Sequence, residues 1–331
     1  MLFFLTTISC SQDASIVSVA FYNTENLFDA EDNPTTFDDD YTPEGSNHWT
    51  AVLLNQKVNQ IADVISKIGT REIGQPPILI GLVEIENKKV LQELIHHPIL
   101  KPFQYDYVHF DSSDARGIDV ALLYRKELFI IEKVKRYPLF LTDPNTQFRR
   151  TTRDQLVVSG FLENNEIAVL VNHWPSRRGG QRKSEGARLK ASQLQLKILD
   201  SLQRDNPDRY LISMGDFNDN PTNKSLFNLT TENDYRTTFI PLVNPMKSLF
   251  KKGVGSLAYR DRWHLFDQIL VSQDRQTPTA LFFVKAVVYS PSFLRTPNGK
   301  YKGYPFRTKV EGEQLLGYSD HFPVYILLGR K

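Results

Sequence analysis

The sequence predicts a mixed α/β fold, with mixed β-sheets at the centre and helices packed outside. Two observations carry this: strand-like apolar runs outnumber helical ones, and several follow one another with no helix between them. That order favours mixed sheets over a purely parallel, doubly wound sheet. Residues 16–22 alternate and are rich in β-branched side chains, which reads as a strand ending at Asn23. Leu54, Val58, Ile61, Ile65 and Ile68 recur every three or four residues, so a helix is expected there, stopping at Gly69. The run ILIGLV at 78–83 is apolar throughout, as a strand covered on both faces must be. A helix is expected over 87–96, and strands at 119–124, 156–161 and 167–171. Residues 187–202 place Ala191, Leu194, Ile198 and Leu202 on one helical face. Strands at 210–214, 265–271, 281–288 and 322–328 complete the series.

Composition narrows the class. The 331-residue chain is 40% hydrophobic and 24% charged, enough for a sizeable core. Lys and Arg number 40 against 38 Asp and Glu. That balance excludes a highly basic nucleic-acid coat and an acidic disordered tail. Cys10 is the only cysteine, which rules out disulfide frameworks and thiolate metal clusters. No apolar run approaches the roughly 20 residues that cross a bilayer. With no repeat and no low-complexity linker, one domain is expected over residues 15–331, after a leader at 1–14. In that leader MLFFLTTIS leads into Cys10, and Thr7-Ile8-Ser9 resembles a loose lipobox. The resemblance implies an exported, cell-envelope lipoprotein acylated at Cys10; plain secretion and a frayed apolar N-terminus are the alternatives. Membrane contact would come only through that anchor, and no obligate protein partner is implied.

Between Glu25 and Glu44 stand eight carboxylates and no Lys or Arg. The alternating spacing and central glycine of an EF-hand are missing, so a solvated acidic loop is expected, with a loose structural cation site as the alternative.

Polar residues at strand ends point to chemistry. Asn23 follows VAFY, Glu84 follows ILIGLV, His173 follows VLVN, Asp216 and Asn218 stand in MGDFND, and Asp320-His321 precede FPVYILL. Asp267 interrupts LFDQILV. One Asp or Asn at a strand end is an ordinary turn former. Burying an ionised carboxylate, however, costs several kcal/mol unless a cation or hydrogen bonds offset it. Six such positions suit metal-assisted attack of water on a phosphorus ester. Mg²⁺ takes hard oxygen ligands, usually one or two protein carboxylates beside water and substrate. An Asp orients or deprotonates the water, and neutral amides hold phosphoryl oxygens without repelling them. A His held by a carboxylate stays cationic. Zinc is disfavoured, since HExxH is missing and the histidines are scattered.

In order, YNTENLF, GLVEIEN, RGIDVALLY, VNHWPSRRGG, GDFND, LFDQILVS and YSDHFPV resemble the endonuclease/exonuclease/phosphatase superfamily, over about residues 17–328. The resemblance implies a deoxyribonuclease I-like fold, a four-layer sandwich of two mixed β-sheets flanked by helices. It also implies a phosphoric ester hydrolase dependent on Mg²⁺ or Mn²⁺. By position it makes Glu84 the metal-binding glutamate, with Glu86 as its rival, and Asn23 and Asp320 further metal residues. Asp216 and Asn218 match the pair that handles the attacking water and a phosphoryl oxygen. His321 matches the histidine on the scissile phosphate, and Asp267 its acidic partner. His173 resembles a second histidine, used as an acid near the leaving group. Arg116 and Asp119 lie where the family places a residue facing that histidine or the phosphate; Asp119 either orients His173 or is an edge-strand carboxylate.

Arg177, Arg178, Arg182, Lys183, Arg188 and Lys190 oppose only Glu185 and follow His173 closely. Such a cluster suits a nucleic-acid backbone, with Arg177 and Arg178 on phosphates and Trp174 stacked on a base or ribose; a solvated charged loop is the plain alternative. A low-specificity nuclease acting on DNA or RNA is therefore expected. The alternative is a phosphoesterase for lipid or inositol phosphates, and a non-enzymatic surface binding module stands third.

Overall fold

The computed structural model describes residues 15–143, 146–231, 240–274, 281–310, 313–314 and 316–330; the leader with Cys10 lies outside them. Strand alternation sets the layers. In Ser15–Leu27, Val17, Val19 and Phe21 point into one core while Ala20 and Tyr22 point into another. Leu79–Ile85 divides the same way, so this sheet is buried on both faces. The six-stranded sheet runs Leu281–Val288, Val324–Arg330, Ser15–Leu27, Leu79–Ile85, Asp119–Arg125, Tyr105–His109. The five-stranded sheet runs Asp267–Val271, Tyr210–Asp216, Asn165–His173, Gln155–Leu162, Phe129–Tyr137. Their inner faces meet in a core that includes Val19, Phe21, Leu122, Val158, Val169, Met214 and Ile326.

Helices cover both outer faces. Ala51–Lys67 starts where Thr50 accepts a hydrogen bond from Leu53 N, and it buries Leu54, Val58, Ile61 and Ile65 against the first sheet. Each such burial contributes about 1.5–3 kcal/mol. Lys88–Ile95 packs beside it, capped by the Asn87 side chain. Gln181–Asp205 and Lys224–Thr230 cover the second sheet through Ile198, Leu199, Leu226 and Leu229. The layers run helix, sheet, sheet, helix. Among the described residues, no helix is long and apolar enough to cross a membrane.

Three expectations need correction. The helix expected at 187–202 spans Gln181–Asp205, starting behind Gly180, whose φ of 108° strongly favours glycine. The strands expected from 265 and 322 begin at Asp267 and Val324. The acidic stretch is a solvated loop only in part: Glu31, Asp32, Asp39, Asp40 and Glu44 are exposed, but Glu25, Asp29 and Asp38 are buried. Asp38 accepts from Asn33 N and Thr36 Oγ1 at 3.0 and 2.9 Å, and Asp29 accepts from Glu31 N and Asn87 Nδ2 at 2.8 and 3.0 Å. These carboxylates satisfy backbone donors in tight turns, a job water cannot do once the segment is packed.

Each sheet contains one parallel pair, and this places the chemistry. Ser15–Leu27 runs parallel to Leu79–Ile85, and Asn165–His173 parallel to Tyr210–Asp216. The antiparallel neighbours Asp267–Val271 and Val324–Arg330 start where those strands end. Asp216 therefore pairs with His173 on one side and Asp267 on the other. Side chains from both sheets meet at this single edge of the sandwich.

Candidate active site

Strand ends bring the site together through departures from regular geometry. Glu84 adopts φ 63° at a bulge between Val83 and Ile85, which breaks alternation with Glu86. Its Oε2 accepts from Asn26 N at 3.0 Å, and Oε1 lies 3.9 Å from His173 Nε2. Glu86, its expected rival, turns elsewhere and accepts from Asp29 N at 2.6 Å. Asn23 ties the sheets together by donating from Nδ2 to Asp216 Oδ2 at 3.2 Å, while its Oδ1 accepts from Glu25 N at 2.9 Å. Asp216 Oδ1 accepts from Asn218 N at 2.9 Å. Gly215, just before it, has no room for a Cβ, which would sit 2.4 Å from the Asn172 carbonyl oxygen on the parallel strand. Asn218 donates from Nδ2 to the Trp174 carbonyl at 3.0 Å.

The contacts continue across the cleft. His173 Nε2 is 3.8 Å from Asp216 Oδ2, and that oxygen is 4.0 Å from His321 Nε2. His321 Nε2 lies 3.9 Å from Asp320 Oδ1, and its Nδ1 is 2.7 Å from Asp267 Oδ2. Ser319, absent from the expected site, braces the segment: its hydroxyl donates to the Asn23 carbonyl at 2.7 Å and accepts from His321 N at 3.1 Å.

Burial and charge separate the two histidines. Burial alone would lower the His321 pKa, but Asp267, Asp320 and Asp216 outweigh it and hold the imidazolium well above the ordinary histidine range. His173 goes the other way: burial, then Arg153, Arg116 and His321, drive its pKa well below the ordinary value. The carboxylates at 3.8 and 3.9 Å are beyond hydrogen-bonding reach and do not reverse this. The acid role expected of His173 is therefore not supplied by its surroundings; its ring is neutral at pH 7. Burial pushes Asp216 up to about 7, and Asn218 N and His321 pull against that rise.

Three expected substrate contacts, and one arginine of the basic cluster, are placed otherwise. Trp174 is buried, edge-on to Phe217 at 4.8 Å, and donates to Asn172 Oδ1, so no base can stack on it. Arg177 is consumed internally, donating to the Asn218 carbonyl and Asp219 Oδ1 at 2.8 and 2.9 Å with its guanidinium over Phe266. Arg188 is buried against Asp219 at 2.8 Å, which removes a second cation from the expected basic cluster. Asp119 stands beside His109 at 3.4 Å and accepts from Ser112 N, while His173 Nδ1 has no partner; Asp119 does not orient that ring. Arg178 remains exposed, and Arg116 sits half-exposed at the rim, 3.3 Å from Asp114.

The sequence reading missed a group around Asp320. Glu25 accepts from Thr308 N at 2.7 Å and lies 3.4 Å from Arg307 Nε, and Arg307 Nη2 donates to Asp320 Oδ2 at 2.9 Å. Buried Lys57 donates to Thr308 Oγ1 and the Tyr318 carbonyl at 2.6 and 2.8 Å. Arg153 similarly joins Asp114 to the Trp174 carbonyl at 2.9 and 2.7 Å. Glu25 lies within YNTENLF, but the motif does not show that its side chain meets Arg307; Lys57 and Arg153 gave no sequence signal beyond their type.

The donor set fits a hard divalent cation. Burial and the neighbouring charge of Asp320 raise the Glu84 pKa, an electrostatic cost that a cation between the two carboxylates would relieve. The histidines are poorly placed as ligands, since Asp267 holds one and the other is buried against carboxylates.

Fold and site together define a phosphoester hydrolase that works with a divalent metal. Residues 18–330 match the Endonuclease/Exonuclease/phosphatase family, and the chain belongs to it. Solved structures share the fold at low identity. One is D. rerio TDP2 complexed with single strand DNA product, at 14% identity and TM-score 0.54, covering 95% of this chain and 99% of that one. Another is the mannosyl-6-phosphatase of Bacteroides thetaiotaomicron VPI-5482, at 17% and 0.57, covering 94% and 99%. A third is the human Nocturnin catalytic domain with bound sulfate anion, at 15% and 0.55, covering 96% and 95%. No curated protein matches the sequence significantly.

Proposed function

We propose that this chain is a phosphodiesterase that hydrolyses DNA or RNA with little sequence preference, using Mg²⁺ or Mn²⁺. The observation that carries the reading is the unbroken series of contacts, none longer than 4.0 Å, from Glu84 through His173, Asp216 and His321 to Asp320. Glu84, Asp320 and Asn23 would hold the divalent cation, and the chemistry it would supply there is polarisation of a phosphoryl oxygen. Asp216, tuned near neutral pKa, takes the proton of the attacking water. Charged His321 neutralises the negative charge that develops on phosphorus oxygens. Asn218, already fixed by Asp216 and Trp174, needs no reorganisation to meet a phosphoryl oxygen. Neutral His173 offers a hydrogen bond without adding charge. Export with Cys10 acylated remains part of this proposal, on the sequence of the leader alone.

The test is a panel of plasmid DNA, single-stranded RNA, sphingomyelin, an inositol polyphosphate and a hexose 6-phosphate, each with Mg²⁺ and with EDTA. Nucleic-acid cleavage abolished by EDTA is expected. Turnover confined to a lipid or sugar phosphate overturns the nuclease assignment. One observation favours that second reading: Arg177 and Arg188 face inward, which leaves fewer cations to track a polyanion.

A further inference from the structure

Beside Asp320 lies a cavity of about 440 Å³, within the roughly 300–1,000 Å³ of single-ligand pockets. One wall is the hairpin Leu257–Tyr259 and Arg262–His264, whose tip residues Arg260 and Asp261 adopt φ 49° and 59°. The other wall is the loop carrying Tyr301 and Tyr304, and Arg307 and Asp320 form the end nearest the catalytic residues. The walls are joined to each other and to the catalytic segment. Tyr304 Oη donates to Asp261 Oδ1 at 2.6 Å, and Trp263 meets Tyr304 edge-on at 5.5 Å while stacking on Phe322, the residue after His321.

Resting on the nuclease reading above, we propose that this cavity receives one unstacked nucleobase next to the scissile phosphate, and so selects single-stranded nucleic acid over duplex. The aromatic rings of Tyr259, Tyr301 and Tyr304 line the cavity, with Arg260 5.3 Å over Tyr259 and Lys300 5.1 Å over Tyr301, and aromatic rings are the sequence-tolerant platform on which any base stacks. Arg260 and Lys300 line the same cavity and suit the flanking phosphates, while Arg307 at its inner end is held by Asp320 and Glu25. A base can occupy so confined a space only after leaving its stack, which is cheapest when it is unpaired.

The experiment compares oligothymidylate as a single strand, the same strand paired with oligoadenylate, and a base-free deoxyribose-phosphate strand of equal length, all with Mg²⁺. The single strand should be cut with at least about tenfold higher kcat/KM than either of the others, mostly through KM. Tyr304→Ala should bring the single strand close to the base-free value, and Tyr304→Phe, which keeps the ring, should restore most of the difference. Tyr259→Ala, at an exposed hairpin tip that does not support the core, should act in the same direction. Equal cutting of base-free and base-bearing strands, or of duplex and single strand, overturns the proposal while leaving the nuclease reading intact. Cleavage of none of the three overturns the proposal, and if single-stranded RNA is also left uncut it overturns the nuclease reading as well.

Discussion

His321 Nδ1 stands 2.7 Å from Asp267 Oδ2, an oxygen that also accepts the hydroxyl of Ser256, and Asp267 is fully buried. The pair is what keeps His321 charged despite its burial. Because the folded-state pKa is raised, the pair's stabilisation is complete below about pH 6.5 and is lost as pH rises through the folded value. Asp267→Asn should lower kcat by about 10²-fold or more. It should also move the alkaline fall in activity to lower pH, read from a pH–rate profile. An unchanged alkaline limb would separate His321 charge from catalysis.

Asp216 predicts the opposite limb. With its pKa near 7, activity should climb as pH rises through neutrality, because the base must first lose its proton. Asp216→Asn should cut kcat by about 10³-fold or more. The raised pKa means that the ionised carboxylate costs folding stability above pH 7, so the Asn variant should melt no lower than wild type at pH 8. Loss of activity accompanied by a large fall in Tm would assign Asp216 to the scaffold instead.

The candidate site was legible because apolar runs stop abruptly at Asn23, Glu84 and Asp216, and a carboxylate ending a buried run needs a reason. Orientation off the strands was not legible. Trp174 and Arg177 sit in a loop, where periodicity says nothing about which way a side chain turns, and the partner that draws Arg177 and Arg188 inward, Asp219, belongs to no apolar pattern. The strands Tyr105–His109 and Phe129–Tyr137 were missed for a related reason. They are the outer strands of their sheets, and their mixed polar residues blur the signal that marks central strands.

Trp174 and Arg188 should therefore behave as framework. Trp174→Ala should cost about 3–5 kcal/mol by opening a cavity against Phe217. Arg188→Ala should cost about 1.5–3 kcal/mol by removing one of the two arginines on buried Asp219, with Arg177 left in place. Urea denaturation measures both. A Trp174→Ala protein of native stability but raised KM for nucleic acid would return Trp174 to the substrate.

The bulge at Glu84 separates two neighbouring glutamates into different tasks, and each leaves its own signature. Mg²⁺ should raise the Tm of wild type, because a ligand that binds only the folded chain stabilises it by mass action. EDTA should remove that gain, and Glu84→Gln should abolish most of it together with activity. Glu86→Gln should keep both, since Glu86 is occupied with Asp29 N. The Glu86 pKa is raised to about 8, chiefly by burial and against the pull of the Asp29 N–H. A raised carboxyl favours the fold at low pH, and that contribution fades as pH rises from the unfolded value near 4.3 through 8. Removing the charge should thus stabilise the protein selectively in alkali: Glu86→Gln should melt at least about 2 °C above wild type at pH 8.5, with a smaller difference at pH 5. Loss of the Mg²⁺-dependent rise in Tm by Glu86→Gln, with Glu84→Gln unaffected, would reverse the assignment of the two residues.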